Sequence, residues 1–151
     1  MKMIVNPTDS YTDWFSSYPW ECFVTTRIPP AIAINCVHDH LIADVFRPIC
    51  RHLNTRLAAI SVITYGHGQH KPHVHSLVAS KSKVLAESIQ DVLTTLQSSR
   101  SELLTHSNAL DIRPYFIDRH PAYVAGHIIE ATDINYYDRK LLAEIYQGAS
   151  T

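Results

Sequence analysis

No stretch of this sequence approaches the ~20 apolar residues that a membrane-spanning helix needs. The opening residues, MKMIVNPTDSYTDWF, also lack the apolar core of a secretory signal, so a cytoplasmic protein without a membrane partner is expected. Cysteine is scarce. Cys22, Cys36 and Cys50 are odd in number and far apart, with no Cys-x-x-Cys pair, which argues against a disulfide framework or a zinc ribbon and for free thiols. No Gly-x-x-x-x-Gly-Lys-Ser/Thr loop occurs, so no P-loop for a nucleoside triphosphate is expected. An excess of positive charge is missing too: 13 Lys and Arg face 14 Asp and Glu, for a net charge of −1 with His neutral. Tight, non-specific binding to phosphate therefore has no global electrostatic support and needs a local basic face, for which Lys71, Lys81 and Lys83 are the candidates. Repeats, low-complexity tracts and interdomain linkers are absent.

What is present suits one globular domain: 151 residues, 46% hydrophobic and 18% charged. The domain is expected to span 1–151, with 1–17 as an N-terminal arm and 133–151 as a C-terminal extension. WECFVTTRI (Trp20 to Ile28) is β-branched and aromatic and ends at Pro29-Pro30, which predicts a strand. The next stretch, 38–60, repeats Leu41, Val45, Ile49, Leu53 and Leu57 at steps of four, a helical stripe that Pro48 should kink or split. AAISVITYG and PHVHSLVAS read as two strands of an antiparallel hairpin joined by GHGQHK. Val84, Ile89, Val92, Leu93 and Leu96 predict a helix over 80–99, capped by Ser80 or Ser82. NALDIRPYFI reads as a fourth strand, at an edge or bulge because of Pro114. A helix over 119–132, opened by Pro121, and a last short helix over 138–147 complete a β-α-β-β-α-β-α order. That order predicts an α+β fold: a ferredoxin-like (split βαβ) antiparallel sheet with helices packed on one face.

The segment from Gly66 to Ser80 places four histidines between His67 and His75 and then turns apolar. On a strand, residues i and i+2 share a face, so His73 and His75 project together and can hold a divalent cation if a third ligand joins them. Ten histidines in 151 residues give about 0.7 His-x-His pairs by chance, and a second pair, His38 and His40, occurs near a predicted helix start. Surface or hydrogen-bonded histidines are the plainer reading of spacing alone, and capping or exposed histidines are the expectation at His38 and His40.

KPHVHSLVAS resembles the His-hydrophobic-His motif of the HUH endonuclease superfamily, in particular the rolling-circle replication initiator (Rep) proteins. CFVTTRIP is similar to that family's first motif, VITYGHG to the strand before the histidines, and YVAGHI to its tyrosine helix. The four likenesses span roughly Trp20 to Ile129 in the family's order. The resemblance implies a metal on His73 and His75 that serves phosphodiester chemistry on single-stranded or hairpin DNA. It implies Tyr123 as a nucleophile that leaves a 5′-phosphotyrosine and a free 3′-OH. Mn²⁺ or Mg²⁺ is the expected ion, and a three-histidine set would also accept Zn²⁺.

Two positions depart from the family pattern. Thr64 stands where a glutamate ligand is frequent, which leaves His67 or His127 as the third donor. Gly126 stands where the family places a lysine three residues after the tyrosine, and His127 is the candidate for part of that role. Tyr137 and Lys140 form a second Tyr-x-x-Lys match outside the predicted core. Beside the nicking enzyme stand a single-tyrosine transposase or relaxase, a non-cleaving DNA-binding module, and a ferredoxin-like metal-binding protein unrelated to DNA.

Overall fold

β-branched and apolar residues dominate Cys22–Arg27, Leu57–Thr64 and His73–Ser80, and these stretches are β1, β2 and β3 of the computed structural model. It describes residues 7–29, 31–65, 72–83 and 110–146, together with Leu85, Ser88, Ile89 and Asp91. Strands β4 (Leu110–Pro114) and β5 (Ile134–Tyr137) complete, among the described residues, a five-stranded antiparallel sheet in the order β4-β1-β3-β2-β5. β3 is inserted between β1 and β2, the arrangement that a split βαβ order requires. The fold is α+β, as the pattern of strands and helices predicts. Pro114 ends the edge strand β4, where its missing N–H costs no ladder bond.

The β1–β2 crossover is helical from Val37 to Leu53: α2 (Val37–Leu41), a π-helical turn (Ile42–Phe46) and α3 (Arg47–Leu53). Pro48 does not split it. A proline has no N–H for the carbonyl four residues back and its ring crowds that carbonyl, and the wider π turn just before it accommodates both. Asn54, at φ 49°, closes the helix, so Leu57 begins β2 instead of extending the helical stripe. Leu41, Val45 and Ile49 bury against Cys22, Val24, Val74 and Val78 on one face of the sheet. Of the helix expected over 80–99, the described residues Leu85, Ser88, Ile89 and Asp91 are helical, and Leu85 and Ile89 join this same core. Its expected first residues are not helical: Ser80 ends β3 and Lys81, Ser82 and Lys83 form a turn, while the remaining residues of that stretch lie outside the described ones.

The opposite face holds a second core. Phe15 from α1 (Pro7–Ser16), Val124 from α4 (His120–Ala125) and Leu141 from α5 (Arg139–Ile145) pack on Ile60, Val62 and Leu77. The N-terminal arm and the C-terminal extension thus contribute α1, β5 and α5 to the sheet and its second layer. β5 is absent from the pattern read in the sequence, because INYY carries no apolar alternation that separates it from a helix. The helix expected over 119–132 stops at Ala125: the His127 and Ile128 amides turn to the carbonyls three residues back, Val124 and Ala125, and the buried Asp133 carboxylate accepts the Ile129 and Glu130 amides beyond them.

Candidate functional site

Two rows of side chains cross the second face of the sheet at the end where β3 begins. Arg27, His73 and Thr64 are register partners across β1, β3 and β2. One step further in, Asp111, Thr25, His75 and Val62 align across β4, β1, β3 and β2. α4 lies over this end with Val124 and Ala125 turned into the core, which leaves Tyr123 on the open side. The result is a groove of about 1100 Å³ that takes in His73, His75, Tyr123 and His127.

His73 and His75 share one face of the central strand, as their spacing predicts. Burial of Val74 on one face does not make the histidine face a solvent face. Both faces of β3 are covered, since Leu77 and Ala79 on the histidine side are buried as fully as Val74 and Val78 on the other. His75 is therefore only 3% exposed, stacked on Phe23 at 5.4 Å. Burial first, then His73 and His127, push its pKa down to about 3, so the ring is neutral. Its Nδ1 meets the Thr25 hydroxyl at 3.1 Å, and its buried Nε2 has no hydrogen-bond partner.

The Tyr123 ring lies 5.0 Å from the His75 ring and 4.6 Å from the His127 ring, and His127 lies 5.0 Å from His75. Nδ1 of His127 donates to the Tyr123 carbonyl at 2.7 Å, which leaves Nε2 as the bare ring nitrogen. The four described candidates, His73, His75, Tyr123 and His127, are thus brought together. His67 lies outside the described residues. Among the described residues no set of three or more His, Cys, Asp or Glu side chains is arranged to hold a metal ion. The histidine pair supplies two donors, and the orphaned Nε2 of His75, fixed from behind by Thr25, suits a divalent cation.

The local positive charge does not come from the expected lysines. Lys81 and Lys83 follow the far end of β3, roughly 25 Å of strand from His73, and Lys71 lies outside the described residues. Arg27, Arg113 and Arg119 line the groove instead, with Asp111 paired to Arg113 at 2.8 Å. Strand alternation marks Arg27 as sharing the Thr25 face, but no sequence signal joins it to Arg113 and Arg119. Tyr137 is on the other side of the sheet, against Phe46 at 5.1 Å, with its pKa pushed up to about 12 mainly by burial. His40, expected as exposed or capping, is buried within α2, where its Nδ1 meets Asp44 at 2.8 Å.

The segment that carries His127 is tied to the sheet by one carboxylate. Asp133, 2% exposed, accepts from the Tyr65 hydroxyl at 2.9 Å as well as from the Ile129 and Glu130 amides. Asp133→Asn puts an amide N–H₂ among three donors and is expected to cost about 2 kcal/mol. Thermal unfolding should show a midpoint several degrees lower. An unchanged midpoint would remove Asp133 as the anchor of this segment.

Comparison with protein-family models, with curated proteins and with solved structures gave no match.

Proposed function

We propose that this groove nicks and rejoins single-stranded DNA through a phosphotyrosine intermediate, with Tyr123 as nucleophile. The observation that carries the reading is the meeting of Tyr123, His75 and His127 within 5.0 Å of one another, ring to ring, in a groove lined by three arginines. His73 and His75 would hold Mn²⁺ or Mg²⁺, with Mn²⁺ favoured by imidazole ligands; His67 or His127 as third donor would also admit Zn²⁺. When bound, such an ion would polarise the scissile phosphate.

In the proposed step the Tyr123 oxygen forms a bond to phosphorus and the bond from phosphorus to the 3′ oxygen breaks. With His127 outside the ligands of the ion, its Nε2 takes the phenolic proton, and the departing 3′ oxygen leaves as a hydroxyl with a proton from solvent. The 5′-phosphotyrosine keeps the ester energy, so the reverse reaction rejoins the strand. Arg27, Arg113 and Arg119 neutralise the backbone in place of the family lysine that Gly126 lacks. The setting this chemistry suits is the start of rolling-circle replication of a plasmid, phage or mobile element in the cytoplasm, with a host helicase. A single-tyrosine transposase or relaxase would use the same step. No helix among the described residues is long and apolar enough to cross a membrane.

One observation favours a second reading, a module that binds hairpin DNA without cutting it. Thr64, beside His73, supplies a buried hydroxyl without a partner where the resembled family has a carboxylate. The discriminating experiment is a search for a covalent adduct with single-stranded oligonucleotides and Mn²⁺. Binding without any adduct would retire the nicking reading.

Charge placement can be tested separately. Neutralising one phosphate-binding side chain lowers the salt slope of single-strand binding by about 0.7. Arg27→Ala is expected to weaken binding across all sequences and to flatten the slope by that amount. A slope equal to wild type would take Arg27 off the DNA path.

A further inference from the structure

Six large hydrophobic side chains are exposed among the described residues, and their placement is not scattered. Tyr65, Phe116, Tyr123 and Ile129 line the groove, Ile117 is next in sequence to Phe116, and Ile34 alone lies elsewhere. Exposed apolar surface gathered at one place marks a contact site. Here it adjoins Arg27, Arg113 and Arg119, a mixture that suits a ligand with anionic and flat apolar parts in alternation.

Phe116 is the best-formed element of this rim. It is 50% exposed at the entrance to α4, with its backbone N–H on His120 Nδ1 at 3.0 Å and the Arg119 guanidinium 5.6 Å from its ring centroid. The His120 ring is 5.8 Å away and in turn stacks on Phe23 at 4.3 Å, so the rim aromatic stands on a buried aromatic column. A rigid, half-exposed ring beside a cation matches an unpaired nucleobase followed by its phosphate.

We propose that Phe116 is a stacking platform for one unpaired base of the strand whose phosphate enters the groove, with Arg119 binding the adjoining phosphate. This rests on the single-strand DNA reading above and adds a specific requirement: the base must be free of its duplex partner. Phosphate binding alone would use only the arginines. Base stacking makes the groove distinguish a strand with bases from one without them.

The test measures affinity for a fluorescent 20-mer of thymidylate and for an abasic 20-mer of equal charge. Wild type is expected to prefer the thymidylate strand. Phe116→Ala should weaken thymidylate binding ~10-fold, leave abasic binding unchanged, and be rescued by Phe116→Trp. An equal loss on both strands, or no loss on either, overturns the platform while leaving phosphate binding in place. If Phe116→Ala changes sedimentation and not DNA affinity, the rim is a contact between copies of the chain and the proposal falls. If wild type binds neither strand, the DNA reading falls together with the platform.

Discussion

Tyr123→Phe is expected to abolish the covalent protein–DNA adduct, a loss of roughly three orders of magnitude or more. Phe keeps the ring against His75 and His127 and removes only the oxygen that would bond to phosphorus. Because Tyr123 is 48% exposed, the variant should keep wild-type stability within about 0.5 kcal/mol. Loss of the adduct would then report on chemistry and not on folding. Tyr137→Phe is the control, since that hydroxyl lies on the other side of the sheet, 3.9 Å from Cys50 Sγ. It should spare the adduct. On a denaturing gel with Mn²⁺, an adduct that vanishes with Tyr137→Phe and survives Tyr123→Phe would overturn the assignment of the nucleophile. DNA binding without any adduct would point to the non-cleaving module.

Removal of the histidine pair should have the second large effect. Titration calorimetry with Mn²⁺ is expected to show binding that disappears in the His73→Ala, His75→Ala double variant. His75 is buried, so its truncation leaves a cavity beside Phe23 and can destabilise the fold. A gentler variant keeps the test independent of folding. Thr25→Val retains the shape of the side chain but deletes the hydroxyl that meets His75 Nδ1, and deleting a partner of this kind weakens metal affinity ~10- to 100-fold. Unchanged Mn²⁺ binding in both variants would move the metal site elsewhere.

Local periodicity was enough to place β1 to β4, the helix over the first crossover, the edge position of Pro114 and the shared face of His73 and His75. Each depends on residues within a few positions of one another, where side-chain direction follows from backbone geometry alone. The same reasoning failed wherever a distant group intervened. The helix after Pro121 ends at Ala125, with the His127 ring on the Tyr123 carbonyl that a further helical amide would need, and Asp133 holds the Ile129 and Glu130 amides out of any continuation. β5 is a strand because β2 offers it an open edge from Ala59 to Val62.

The character of the site was likewise decided by packing. His75 has a depressed pKa and an orphaned Nε2 because Phe23 and α4 cover a strand that spacing alone would leave half solvated. The arginine lining draws Arg27 from β1, Arg113 from β4 and Arg119 from the turn before α4. A nearly neutral chain thereby acquires a local basic groove that no count of charges contains. Sequence by itself singled out the candidate residues and the shared face of the histidine pair. Only the tertiary structure decided that His73, His75, Tyr123 and His127 meet in one groove, because strand order and helix packing, not spacing along the chain, set the distances between them.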